Sequence, residues 1–140
     1  MQITRQADYA VRAILYLAQV GSNGNNGRVS TNDVAKEQNI PLSFLAKIIS
    51  QLSIAGLINT LRGAHGGVKL AREPKNITLL EVVEAIDGPI QLNVCVEWGC
   101  VCSFEGNCPV QLIWGDAQNA LVAKLNHTNF AQLVLKDSTK

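Results

Sequence analysis

The sequence is poor in charge and has no long apolar run. Only 16% of its 140 residues are charged and 47% are hydrophobic, a balance that excludes a charge-dominated disordered chain and points to a packed globule. No apolar run approaches the roughly 20 residues that a membrane span requires. The opening Met1-Gln2-Ile3-Thr4-Arg5 has no apolar core behind a basic flank, so no export signal is expected and the reading is cytoplasmic. A Ser/His/Asp set, a paired-carboxylate motif and a phosphate-cradling loop are also missing, which argues against an enzyme. Internal repeats are absent. A chain of this length fits one domain, or one small domain with an attached dimerisation element. It can bury about two-thirds of its unfolded surface, so neither disulfide nor metal is needed merely to fold.

What is present is unevenly distributed. The net charge is only +1, yet residues 1–75 carry nine Lys/Arg against four Asp/Glu, and residues 76–140 carry three against seven. The halves therefore differ in sign, +5 and −4. A basic first half suits a polyanion, although ordinary scatter of surface charge is the alternative. All four cysteines, Cys95, Cys100, Cys102 and Cys108, fall within fourteen consecutive residues. In a reducing compartment such a cluster suggests metal or redox chemistry more than structural disulfides.

The periodicity predicts a mainly helical fold. A first helix capped by Thr4 runs to about Val20, with Val11, Ile14, Leu15 and Ala18 as its buried stripe. A polar connector over residues 21–27 leads to a short helix from Ser30 to about Gln38. Ile40-Pro41-Leu42-Ser43 makes the turn, with Pro41 suited to the first helical position. The next helix buries Leu45, Ile48, Ile49 and Leu52 and ends at Gly56. Leu57–Leu61 and Val68–Ala71 read as two strands around the glycine-rich tip Arg62-Gly63-Ala64-His65-Gly66-Gly67. Helix, turn, helix and basic hairpin in that order form a winged helix-turn-helix pattern. Thr78 and Glu81 then form a capping box on a helix that stops at Gly88-Pro89. Residues 90–108 carry the cysteines without helical period. Pro109 opens a long helix to about Asn126, more apolar than one packing face needs, so part of it is expected to face a partner subunit. A short helix near Asn129–Leu135 closes the chain.

Two segments divide the work: 1–75 as the DNA-binding domain, and 76–140 as linker helix, cysteine-bearing sensor loop (90–108) and dimerisation helix (109–126). The major groove of B-DNA admits one α-helix, read by side chains near its N-terminus. Those positions here are Leu42, Ser43, Phe44 and Lys47. Phe44 suits either a thymine methyl or inward packing, and a merely solvated helix face is the alternative for the set. At the hairpin tip Arg62 suits a narrow minor groove, with His65 as a possible assistant or a plain exposed histidine.

The opening Met1-Gln2-Ile3-Thr4-Arg5-Gln6-Ala7-Asp8-Tyr9-Ala10, the helix-turn-helix, the tip Arg62–Gly67 and the cysteine segment together resemble the IscR/NsrR-type winged-helix regulators. The resemblance covers nearly the whole chain. It implies a homodimer on a pseudo-palindromic double-stranded DNA operator, with the helix from Pro109 crossing its mate. It also implies an iron–sulfur cluster, 2Fe–2S or 4Fe–4S, on three cysteines. By position Cys108 matches the third and Cys102 the second, while Cys95 is the best match to the first at an unusual spacing. Cys100 is an additional thiol. In the IscR subtype a histidine follows the last cysteine by three residues; here Gln111, a poor iron ligand, takes that place. In the NsrR subtype an aspartate on the first helix of the other subunit completes the site, and Asp8 stands there. Three cysteines plus Asp8, or all four cysteines, are the two assignments.

Thiolates are the usual cluster ligands, and Gly99 and Gly106 give the loop freedom to converge on one centre. Zinc is a rival, but the cysteines lack the two spaced pairs of a zinc finger. A disulfide switch is another rival. A small iron–sulfur electron carrier is a third, and it leaves the wing and the basic first half unexplained. Asp8 also has a structural alternative, an i,i+4 pair with Arg12.

Overall fold

The computed structural model describes residues 2–22, 27–63, 66–96, 104 and 108–138. The described helices and strands follow in order as α1 Arg5–Ser22, α2 Thr31–Gln38, α3 Leu42–Ile54, β1 Ile58–Leu61, β2 Gly67–Leu70, α4 Leu79–Asp87, α5 Pro109–Asn126 and α6 Phe130–Ser138. Two single 3-10 turns, Pro74–Asn76 and Val94–Val96, lie before α4 and before α5.

α1 is the central element, packed against α2, α3, α4 and α6. Thr4 caps it, its hydroxyl accepting from the Ala7 N–H at 3.1 Å. The expected stripe needs correcting. Ala7, Ala10, Ala13, Ile14, Leu17 and Ala18 are buried, whereas Val11 and Leu15 are only half-buried. A stripe four residues wide describes a helix with one neighbour. With four helices and β2 around it, α1 turns its alanines inward because small side chains let the surrounding backbones approach closely.

The helix-turn-helix is set by local chemistry. The Ser30 hydroxyl accepts from the Asp33 N–H at 3.1 Å and starts α2. Asn39 ends α2 in the left-handed region at φ 53°. Pro41 stands one place earlier than expected, in the capping position, so that Leu42 is the first residue of α3. Leu45, Ile48, Ile49 and Leu52 are all buried and anchor α3 to the core.

The antiparallel hairpin pairs Ile58 with Leu70, Thr60 with Val68 and Leu61 with Gly67. Val29, just before α2, adds a rung on the far side: it exchanges both backbone hydrogen bonds with Val68, at 2.9 and 2.8 Å. The root of the wing is thereby tied to the helix pair. Two glycines are needed here for space. A Cβ at Gly66 would stand 2.2 Å from the Leu61 carbonyl oxygen, and one at Gly67 would stand 2.5 Å from that of Val29.

The capping box on α4 forms in both directions. Glu81 N–H donates to the Thr78 hydroxyl at 3.1 Å, and Thr78 N–H donates to the Glu81 carboxylate at 3.0 Å. Arg72 adds an ion pair to Glu81 at 2.8 Å. Burial alone raises the Glu81 carboxyl, but the Thr78 N–H and the Arg72 guanidinium outweigh it and hold it below the usual carboxylate value. A carboxyl depressed by folding stabilises the fold above its unfolded pKa, about 4.3, and that contribution is lost as pH falls through the folded value. The stability gap between the native chain and Glu81→Gln should therefore narrow in acid. Thermal melts near neutrality and near pH 3 check it, and an equal gap at both would refute the coupling.

α6 closes the core from the chain's end. Phe130 is completely buried, Phe130 N–H donates to Ile77 O at 3.1 Å, and Leu79 N–H donates to Thr128 O at 2.8 Å. The main core thus draws on both sides of residue 75: Ile14, Leu45, Leu52, Leu57, Ile77, Val82 and Phe130 all belong to it. α5 differs. None of its residues is buried, and its later half packs through Leu121, Val122 and Leu125 against Leu80 and Val83 of α4 and Ile90 just beyond it.

Candidate nucleic-acid interface and cysteine segment

The four residues expected to meet DNA from α3 are all exposed. Leu42 is 51% and Phe44 44% accessible, and Ser43 and Lys47 also face outward. Phe44 packs inward only in part. Its ring lies 6.4 Å from that of Tyr9, yet nearly half of the residue remains open. Arg62 is exposed at the end of β1 and makes no hydrogen bond or ion pair with a described residue. His65 lies outside the described residues.

The basic residues of the first half sort into two groups. Arg12 is turned to internal use, 3.8 Å from Asp8, stacked 5.3 Å above the Tyr9 ring, and hydrogen-bonded to the Gln38 carbonyl at the end of α2. Arg72 and Lys75 pair with Glu81 and Glu73. Lys47 and Arg62 have no such partner among the described residues and present their charge to solvent. Arg12 thus holds the end of α2, while Lys47 on α3 and Arg62 beside the hairpin are among the cations that keep their charge in solvent.

Of the residues assigned to a metal or cluster, Cys95, Cys108 and Asp8 are described, and Cys100 and Cys102 lie outside the described residues. Cys95 and Cys108 are half-buried free thiols. Cys108 occupies the capping position of α5, and its side chain makes no capping bond. Gln111, in the first turn of that helix, donates from Nε2 to the Cys95 carbonyl at 2.9 Å. Two cysteines far apart along the loop are in this way gathered at one end of α5. Asp8 keeps company with Arg12 as an exposed i,i+4 pair. Among the described residues no three His, Cys, Asp or Glu side chains gather in a metal-holding group.

Several contacts had no sequence signal. Arg12 shows only its i,i+4 relation to Asp8; its reach to Gln38 depends on how α2 crosses α1. Thr4 hydrogen-bonds Asp87 through its N–H and its hydroxyl, at 3.2 and 2.5 Å. That contact joins the start of α1 to the last turn of α4, just before the chain enters the cysteine segment.

A helix pair whose second member bares a basic, polar face, followed at once by a hairpin wing, defines a winged helix-turn-helix DNA-binding protein. The chain belongs to the Rrf2 family of iron-dependent transcriptional regulators, which it matches over residues 3–136. It is 34% identical over 137 residues to the rrf2 protein of Nitratidesulfovibrio vulgaris Hildenborough, spanning 96% of this chain and 87% of that protein. It is 31% identical over 134 residues to the regulator IscR of Klebsiella pneumoniae strain 342, spanning 96% and 80%. Among solved structures it is similar to CymR, the global cysteine regulator of B. subtilis, with a TM-score of 0.79 at 26% identity over 97% and 98% of the two chains. T. potens IscR gives a TM-score of 0.76 at 25% identity over 99% and 88%. The protein is a DNA-binding transcription regulator and not an enzyme. No described helix is long and apolar enough to cross a membrane.

Proposed function

We propose that this regulator is a cytoplasmic homodimer whose operator binding is set by an iron–sulfur cluster held on its cysteine segment. The observation that carries the proposal is the bond from Gln111 to the Cys95 carbonyl. It brings the backbone of Cys95 to the first turn of the helix that Cys108 opens. The donor chemistry fits the group, since thiolates are the usual ligands of iron–sulfur clusters. Cys95, Cys102 and Cys108 would supply three of them, and Asp8 of the partner subunit or Cys100 the fourth. A cluster bound there supplies a link between these residues that depends on iron supply and redox state.

The chain's own residues supply the rest. Leu112 is 71% and Ile113 61% accessible, and with Val110 and Trp114 they make an apolar start to α5 that suits a second copy of the same helix. Two α3 helices in such a dimer would meet successive major grooves of a pseudo-palindromic operator, roughly 34 Å apart. Leu42, Ser43, Phe44 and Lys47 face the bases and backbone, while Arg62, assisted by His65, enters the minor groove. Position is controlled from α1. Arg12 links Asp8 to the carbonyl end of α2, and Tyr9 links the same helix to Phe44 on α3.

Anaerobic purification followed by iron, acid-labile sulfide and visible-absorption measurements tests the sensor. Stoichiometric iron and sulfide are expected, and their absence would remove the cluster. A thiol–disulfide switch is the second reading, supported by the half-buried free thiols and the likeness to a cysteine regulator. It predicts operator binding that responds to a thiol oxidant in protein without iron. For the DNA face, Lys47→Ala should weaken binding across sequences and reduce the salt slope of log affinity by about one phosphate. An unchanged slope in a salt titration would take Lys47 off the backbone.

A further inference from the structure

We infer that Gln111 and Gln118 act as a two-point clamp that fixes Cys95 against α5 and makes residues 92–96 and that helix move as one body. The inference deepens the sensor reading above and rests on it. The two glutamines are seven residues apart, hence two helical turns and about 10 Å along one face of α5. Both are half-buried, on the side of α5 opposite the exposed Ile113. They grip the same short stretch of the loop. Gln111 Nε2 donates to the Cys95 carbonyl and Gln118 Oε1 accepts from the Leu92 N–H, each at 2.9 Å.

The polarity of the two bonds is opposite. An amide serves at both places because it carries a donor and an acceptor, whereas a carboxylate can serve only at the accepting one. Gln111 must donate, because its partner is a carbonyl; Gln118 must accept, because its partner is an N–H. The segment between them carries Cys95, and Cys108 lies three residues before Gln111. A shift of Cys95 relative to Cys108 therefore cannot occur without breaking a bond to α5 or dragging the helix with it. The clamped face of α5 is flanked by the exposed apolar residues that suit a second subunit, so a displacement carried by the helix reaches the place where the distance between two reading helices is set. Gln111 and Gln118 are positioning residues in this scheme, acting through Cys95 and not as ligands.

The opposite polarities make the test specific. Gln118→Glu keeps an acceptor and should hold Leu92, whereas Gln111→Glu places a carboxylate against a carbonyl and should release Cys95. Gln111→Leu and Gln118→Leu remove each bond without adding charge. They also cover the event that Gln111→Glu fails to fold, judged by its helical circular dichroism. Hydrogen–deuterium exchange is measured on the full chain prepared without iron. Amides of residues 92–96 should exchange about five- to tenfold faster in Gln111→Glu, Gln111→Leu and Gln118→Leu, the scale of one lost hydrogen bond, and at the native rate in Gln118→Glu. In iron-loaded protein, the visible absorption should be lost to a chelator several-fold faster in the same three variants and unchanged in the fourth. Native exchange over 92–96 in both Gln111 variants would overturn the clamp. So would a Gln118→Glu protein that behaves like Gln118→Leu. If the native chain takes up no iron but the exchange pattern holds, the sensor reading fails and the clamp stands.

Discussion

Phe130→Ala is expected to lower the unfolding free energy by about 3–5 kcal/mol, the usual cost of deleting a buried aromatic ring. Phe130 is the largest of the completely buried side chains and the first residue of α6. Its ring belongs to the same core cluster as Ile14 and Leu17 of α1, Leu45 and Leu52 of α3 and Val82 of α4, so truncation opens a cavity where several helices meet. Backbone bonds between 77–79 and 128–130 hold the position rigidly, which limits collapse into the space. A domain of this kind has a total stability of about 5–15 kcal/mol, so the loss is a large share of it. Urea denaturation followed by circular dichroism measures it directly. A change below about 1 kcal/mol would mean that α6 contributes little to the fold.

Arg62→Ala should do the opposite: leave stability alone and cost function. The side chain is exposed and makes no hydrogen bond or ion pair with a described residue, so the melting midpoint should be unaffected, within about 0.5 kcal/mol of the native value. Operator affinity should fall by roughly 10- to 100-fold, about 1–3 kcal/mol, if the guanidinium lies in the minor groove. Arg72→Ala is the natural control. It is a basic residue near the wing whose charge is spent on Glu81 and the Asn76 carbonyl, so its loss should lower stability more than DNA affinity. Fluorescence anisotropy with operator and unrelated duplexes separates the two. Native operator affinity in Arg62→Ala would take the wing tip out of the DNA interface.

Local chemistry made much of the architecture legible. Ser30 with Asp33, and Thr78 with Glu81, mark helix starts because a hydroxyl must satisfy an otherwise unpaired N–H, and each bond is present. Pro109 and Gly88 mark a start and a stop for equally local reasons. The exposed run on α5 was legible too, because no single packing face needs so many apolar positions. The buried face of α1 was read one step off. Its period is correct, but which residues turn inward depends on neighbours that periodicity does not count. The roles of Arg12, Gln111 and Gln118 were illegible. Each reaches a backbone atom 16 to 26 residues away, and nothing in the identity of an arginine or glutamine announces which carbonyl or N–H it will meet.

By itself the order of residues determined where helices begin and end, which side of α3 is buried and which is open, and that four cysteines fall within fourteen consecutive residues. These follow from interactions within a turn or two of chain, whose geometry is the same in any protein. Folding in three dimensions decided which of these cations find partners: Arg12 and Arg72 are held by groups of the chain itself, while Lys47 and Arg62 keep their charge for solvent. It also decided that Cys95 is fastened to the helix Cys108 begins. Such choices depend on how helices cross and how long side chains span the gaps, distances that are fixed only when the whole core has closed.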